Sequence, residues 1–179
     1  AYKVASFEVM DIPLLEKIGG TGRPVIVSTG MATFEEIEQA VSTLRDAGAG
    51  AIVVLHCVSG YPTPVSDSNI RTVPDLAERL DLPVGLSDHT LGTAVSVGAV
   101  ALGACVIEKH FTLRREDGGP DAAFSLEPAE LAALVRDTAD AYDALGAAGY
   151  EMKASERALA QFRRSIYVVD DIEEGGTLT

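Results

Sequence analysis

At 179 residues and 18.8 kDa the chain is long enough for one domain with a full core and short of two ordinary ones. Its composition, 47% hydrophobic and 23% charged, is that of a folded protein and excludes a disordered one. A net charge of −13 is repelled by phosphate backbones, and the tightest basic pair, Arg114-Arg115, runs straight into Glu116 and Asp117, so no nucleic-acid partner is expected.

Taken in chain order, short β-branched runs alternate with amphipathic segments. Tyr2–Ser6 reads as a strand, followed by a short helix over Pro13–Ile18 that Asp11-Ile12-Pro13 starts. Pro24–Ser28 is a second strand. Thr33-Phe34-Glu35-Glu36 is a capping box that opens a helix to about Ala47, with Ile37, Ala40, Val41 and Leu44 on one face. Ala51–Cys57 is a third strand and Pro74–Leu80 a third helix, ended by Asp81-Leu82-Pro83. A fourth strand, Pro83–Ser87, leads to Leu91–Leu102, a helix apolar nearly all round and expected to be buried on more than one side. Ala104–His110 is a fifth strand, and Glu127-Pro128 starts the longest helix, which runs to Leu145 before Gly146. Beyond Gly149 the pattern predicts a short polar helix over Ser155–Phe162, a strand over Arg163–Val169 and a turn over 170–176.

Strands that begin about 21 to 32 residues apart and are apolar on both faces imply a parallel sheet with helical crossovers. A doubly wound sheet usually carries a glycine-rich phosphate loop after its first strand, and no G-x-G-x-x-G is present. Nearly every strand instead ends in a small polar or ionisable residue, the arrangement that rings the mouth of a (β/α)8 barrel. The expectation is an α/β fold, an incomplete TIM (β/α)8 barrel of about five βα units over residues 1–148, with 149–179 a linker into a second, mostly β module. The longest apolar stretch, Val95 to Val106, is broken by Gly98 and Gly103 and falls short of the roughly 18 residues of a membrane span. Cys57 and Cys105 both sit in apolar runs, which suits reduced core thiols and a cytoplasmic protein. No signal peptide is recognisable, and an opening directly on a strand suggests a start inside a longer domain.

His89 and His110 end adjacent strands, about 4.8 Å apart in a parallel sheet, so both imidazoles can reach one point. Such a pair suits a divalent metal that keeps positions open for water and substrate. The other reading is a metal-free pair, one ring hydrogen-bonded to Asp88 and one capping a strand end. Ser6, Ser28, Ser59 and Ser87 end four successive strands, where hydroxyls can donate to phosphate oxygens or cap helices, and Lys3 can supply the positive charge. Glu8 can move a proton, Asp121 can bind a sugar hydroxyl or close an Asx turn, and Tyr61 can line a pocket or staple a loop. His56 lies inside its strand and reads as a core histidine, while neither cysteine has the basic neighbour that a nucleophile needs.

These residues fall in motifs that occur in a fixed order. They are Lys3-Val4-Ala5-Ser6-Phe7-Glu8, Ser28-Thr29-Gly30-Met31 and His56-Cys57-Val58-Ser59-Gly60-Tyr61-Pro62. Gly85-Leu86-Ser87-Asp88-His89-Thr90, Glu108-Lys109-His110-Phe111-Thr112, and Gly119-Pro120-Asp121 with Ser125-Leu126-Glu127-Pro128 follow. Over residues 1 to about 148 the set resembles the nonulosonic (sialic) acid synthase family, which condenses phosphoenolpyruvate with an amino-sugar aldehyde. Residues 163–179 look like the join to the antifreeze-like (SAF) domain of that family. Asp11–Leu15 and Gly118–Ser125 look most like the pseudaminic acid synthase branch, whereas His56 is usual among sialic and legionaminic acid synthases and lysine is frequent there in the pseudaminic branch.

The resemblance implies that His89 and His110 bind a divalent metal, manganese or magnesium. It implies that Lys3, Ser6, Ser28, Ser59 and Ser87 hold phosphoenolpyruvate, that Tyr61 and Asp121 face an N-acetylated amino sugar, and that Glu8 handles protons. It also implies a homodimer, with three βα units ahead of Lys3 and an arginine beyond Thr179, so that these residues alone would be inactive and prone to self-association. Two other readings compete: a metal-dependent aldolase of similar barrel type, and a non-catalytic half-barrel that binds metal and phosphorylated ligands.

Overall fold

Five short strands pair in chain order, each parallel to the next: β1 (Tyr2–Val4), β2 (Val25–Ser28), β3 (Ile52–Cys57), β4 (Val84–Asp88) and β5 (Ile107–Lys109). The computed structural model describes residues 1–167 and 169–177, in two units, Ala1–Gly146 and Ala147–Thr179. The connections carry the helices α1 (Ile12–Gly19), α2 (Phe34–Asp46), α3 (Thr72–Leu80) and α4 (Ala94–Ala101), and α5 (Pro128–Leu145) follows β5. The local signals act as their chemistry dictates. Asp11 accepts from the Leu14 N–H at the start of α1 (3.1 Å), and at α2 Thr33 Oγ1 and the Glu36 carboxylate cap each other's backbone N–H at 3.3 and 2.7 Å.

Because side chains alternate across a strand, the register sorts residues onto two faces. Val4, Val27, Val54 and Leu86 point to one face with Val25, Ile52 and Val84; they bury there against Leu15, Ile37, Val41, Leu44, Val73, Leu76, Val95 and Ala99 of the helices. Lys3, Ser28, Leu55, Ser87 and Glu108 alternate onto the other face. In a flat sheet β1 and β5, four spacings apart, would be separated by about 19 Å. Lys3 on β1 instead comes within 3.5 Å of Glu108 on β5, so the sheet is curled and its second face is concave. The architecture is α/β with a curled parallel half-barrel sheet. Among the described residues β1 is hydrogen-bonded only to β2, and β5 only to β4.

Several expectations change, among them the fifth strand, which is confined to Ile107–Lys109, and the third helix, which starts at Thr72. β1 stops at Val4 because Ser6–Glu8 winds into a 3-10 turn closed by the Glu8 carboxylate on the Ala5 N–H (2.8 Å). α4 starts at Ala94, three residues after Leu91, because Gly92 turns the chain through the left-handed region (φ 76°) and leaves Leu91 exposed. Cys57 is buried, but Cys105 is exposed, two residues ahead of the edge strand β5. In the second unit, residues 163–167 and 169 form no strand, for want of a pairing partner among the described residues, and Val168 lies outside them. That unit holds a 3-10 helix, Ala154–Phe162, whose side chains are mostly exposed. No helix of the described residues is long and apolar enough to cross a membrane.

His56 is a core histidine. Its Nε2 donates to the Ser68 carbonyl at 2.8 Å, and burial pushes its pKa below the ordinary 6.5 despite that hydrogen bond. The unfolded chain therefore takes up this proton before the folded one does. The stability from keeping His56 neutral is full above 6.5 and is lost as pH falls through the folded value. Chemical denaturation between about pH 7 and pH 5 is expected to show falling stability, with a shallower fall for His56→Gln. An unchanged slope in the variant would remove His56 as its cause.

Candidate active site

The C-terminal ends of all five strands open onto the concave face, and their side chains fall into two neighbouring clusters. In the first, Lys3 Nζ donates to Ser28 Oγ (2.8 Å) and to the Val4 carbonyl (3.1 Å), and faces Glu108 Oε1 at 3.5 Å. Ser87 Oγ donates to the same Glu108 oxygen at 2.8 Å. Ser59 Oγ donates to Ser6 Oγ at 3.1 Å, which joins the loops after β1 and β3. Gly30, in the loop after β2, lets that junction form. Its φ is 53°, and a Cβ there would strike the Ser6 Cβ and come within 3.0 Å of Ser59 Oγ.

The second cluster is aromatic. The His89 and His110 ring centroids lie 5.2 Å apart, as expected where Asp88 is paired with Lys109 and the next residues follow in step. Tyr61 leans on His89 at 4.3 Å and meets His110 edge-on at 6.0 Å, while Phe124 packs 5.1 Å from His110 and 5.8 Å from Tyr61. His110 Nδ1 lies 3.4 Å from the Asp121 carboxylate. Asp121 sits on a loop pinned by Ser125 Oγ, which donates to its carbonyl (2.8 Å), and by Arg115, whose Nε donates to the Ser125 carbonyl (3.0 Å) and whose guanidinium pairs with Glu130. The Glu127 N–H, helped by Arg115, holds the Glu130 carboxyl below the usual carboxylate range against its partial desolvation.

The donor chemistry of the histidine pair decides whether it suits a divalent metal. A carbonyl oxygen can only accept, so the 2.9 Å contact from His89 Nδ1 to the Val58 carbonyl places the ring proton on Nδ1 and leaves Nε2 with its lone pair. At His110 the Asp121 carboxylate, 3.4 Å from Nδ1, favours the proton on that nitrogen too. A backbone carbonyl and a carboxylate behind two imidazoles are the outer partners that orient metal ligands, so the residues fit such an ion. Among the described residues no third His, Cys, Asp or Glu completes a set with these two.

Lys3, Ser28 and Ser87 come together with Glu108, Ser6 pairs with Ser59, and Tyr61, His89, His110 and Asp121 form the second group. Glu8 stays apart, its carboxylate engaged in its own turn. His89 turns to Val58 and away from Asp88, whose carboxylate lies on the helix side of the sheet with Ser96 of α4 (2.6 Å). Reasoning from strand ends finds Glu108 without giving it a role, and misses Phe124 and the Asp88–Lys109 ion pair. Alternation from Ser87 through its register partner places Glu108 on the concave face, and charges inside apolar strands signal a pair.

The family model described as the NeuB family matches residues 1–150. The chain belongs to the NeuB family. It is 40% identical to the N,N'-diacetyllegionaminic acid synthase of Campylobacter jejuni over 97% of its length, and 38% identical to the pseudaminic acid synthase of Helicobacter pylori over 99%. It spans about half the length of these curated relatives, 53% of each. The crystal structure of N-acetylneuraminic acid (sialic acid) synthetase from Leptospira borgpetersenii in complex with citrate superposes with a TM-score of 0.80 at 40% identity, over 90% of this chain and 56% of that one. The concave face of the half-barrel is thus the face of a NeuB-family fold.

Gly30→Ala is expected to cost more stability than Gly92→Ala. Both have positive φ, 53° and 76°, but a Cβ at Gly92 would have nothing within 4 Å, whereas one at Gly30 would meet two serines. The shared left-handed penalty is about 1–2 kcal/mol, and the excess at Gly30 measures the crowding of the Ser6–Ser59 junction. Equal losses in urea titrations would mean that the junction is not tightly packed.

Proposed function

We propose that this chain carries the phosphate and metal side of a nonulosonic acid synthase, which condenses phosphoenolpyruvate with an N-acetylated amino-sugar aldehyde to give a nonulosonic acid and phosphate. The observation that supports it is the adjacency of the two clusters: Ser87 in the hydroxyl–ammonium group and His89 in the imidazole pair are two residues apart on one strand face, about 7 Å. That spacing suits a small phosphorylated enol reacting with a carbonyl beside it. Within the class we assign pseudaminic acid as the product, on the strength of Asp11–Leu15 and Gly118–Ser125; legionaminic and N-acetylneuraminic acids are the alternatives. The same reading makes the complete protein a cytoplasmic homodimer and residues 149–179 the lead-in to an antifreeze-like (SAF) module.

Each residue's part follows from its chemistry. Lys3 and the hydroxyls of Ser6, Ser28, Ser59 and Ser87 donate to the phosphate, whose oxygens take over the donors that Glu108 shares in this structure. Tyr61 and Asp121 bound the sugar, with Phe124 as an apolar wall. C3 of the enol forms the new bond to the aldehyde carbon, water adds at C2, and phosphate leaves by C–O cleavage. His89 and His110 would hold a divalent ion, manganese or magnesium, which would supply Lewis acidity toward the aldehyde oxygen. Glu8, on the loop after β1, would leave its contact with the Ala5 N–H to carry the proton that water gives up at C2 toward the new hydroxyl. Fixed donors and orientation account for the acceleration that this arrangement offers.

In the complete protein, phosphate release from phosphoenolpyruvate is expected to require both an N-acetylated amino sugar and a divalent ion, with the pseudaminic precursor preferred over the other two sugars. Release without any sugar would contradict a condensation, and condensation without release of phosphate would point to an aldolase. Lys3→Ala is expected to raise the KM for phosphoenolpyruvate about 10- to 100-fold, since hydrogen bonds to charged groups contribute about 1.5–3 kcal/mol. A raised KM for the sugar alone would move Lys3 out of the phosphate site.

A further inference from the structure

We propose that the buried Asp88–Lys109 ion pair is a positioning clasp that fixes the spacing of His89 and His110, and through it the affinity of the site for a divalent cation. The inference rests on the metal reading of the two histidines, but it concerns residues on the opposite face of the sheet. Asp88 and Lys109 are register partners on β4 and β5, and each immediately precedes one of the histidines. Their side chains are 1% and 3% exposed, with Lys109 Nζ 3.0 Å from Asp88 Oδ2.

The hydrogen bonds around the pair enclose His89. Lys109 Nζ donates both to Asp88 and to the Thr90 carbonyl (2.7 Å), so the residue beside His110 holds the residues on either side of His89. Asp88 closes the loop from its own side: Oδ1 accepts from the Thr90 N–H (2.8 Å) and Oδ2 from Ser96 Oγ of α4 (2.6 Å). The Thr63 N–H donates to the His89 carbonyl at 3.0 Å, which leaves the Cα of His89 little freedom to shift.

A wholly buried ion pair repays its desolvation poorly, and apolar residues of similar volume often stabilise a core as well or better. Stability alone therefore gives no reason for charges at these two positions. Fixing two ligands does, because a site to which the described residues bring two donors depends on their separation and angle, and outer residues that orient metal ligands change affinity about 10- to 100-fold when replaced. The clasp is thus a positioning element behind the sheet, and neither of its residues touches the ion.

The test is a Mn2+ titration of the complete protein, followed by electron paramagnetic resonance of the free ion, with thermal melting in parallel. Lys109→Met and the double variant Asp88→Asn/Lys109→Met are each expected to weaken Mn2+ binding about tenfold or more, and Lys109→Arg to recover most of it. The double variant strands neither charge, so it keeps the test available if the single one does not fold. Leu134→Ala, in the core beneath α5, is expected to lower the melting temperature and leave Mn2+ affinity unchanged, which separates positioning from general loosening. A folded double variant with wild-type Mn2+ affinity would overturn the clasp and leave the metal pair standing. Wild-type protein that binds no Mn2+, or a His89→Ala variant that binds it undiminished, would overturn the metal pair and the clasp together.

Discussion

In-step parallel pairing, from Tyr2 opposite Val25 to Asp88 opposite Lys109, is the constraint on which the rest of the structure depends. Since side chains alternate, one register assigns every strand residue to a face. The helix face takes the valines and leucines that make the core. The concave face takes Lys3, Ser28, Ser87 and Glu108, and the loops just beyond add Ser6, Ser59, Tyr61, His89 and His110. Slipping one strand by a residue would bury its polar set against helices and turn its apolar set outward. Core and site are therefore held by the same hydrogen bonds, and neither can be moved independently of the other.

Curling turns this row of strand ends into a site. Lys3 and Glu108 belong to the two outermost strands, yet they meet at 3.5 Å across the concave face. Both side chains are about a third or more exposed, so their attraction is screened and adds little to stability. Its consequence is chemical: the carboxylate holds the ammonium and the Ser87 hydroxyl near the geometry that a phosphate would need. Under the proposed function a phosphate would take these two donors over from Glu108. The chain as a whole carries a charge of −13, so under the proposed function this local set of donors, and not the net field, would have to recruit the anionic substrate.

The order and type of the elements in the first unit were legible because their signals are local. The Thr33–Glu36 capping box, the prolines at the starts of α1 and α5 and the β-branched runs all act over a few residues. The site was legible where a residue ends a strand, as with His89, His110 and the serines. The part played by Glu108 and the presence of Phe124 were not, because they depend on a register partner and on a loop folding back through Arg115. Asp88 invited pairing with its neighbour His89, but alternation sends the two to opposite faces. Arg163–Tyr167 has strand-like composition and no strand, since a strand exists only with a hydrogen-bonded neighbour.

The central claim is that phosphate and metal sit side by side over the ends of β1–β5, within roughly 10 Å of each other on strand geometry. The most direct measurement is the 31P relaxation of phosphoenolpyruvate bound to the complete protein, with Mn2+ as the paramagnetic ion. The account predicts strong enhancement of phosphorus relaxation that disappears when His89 and His110 are both replaced by alanine, while phosphoenolpyruvate still binds. Bound phosphoenolpyruvate whose phosphorus is untouched by protein-bound Mn2+ would contradict it.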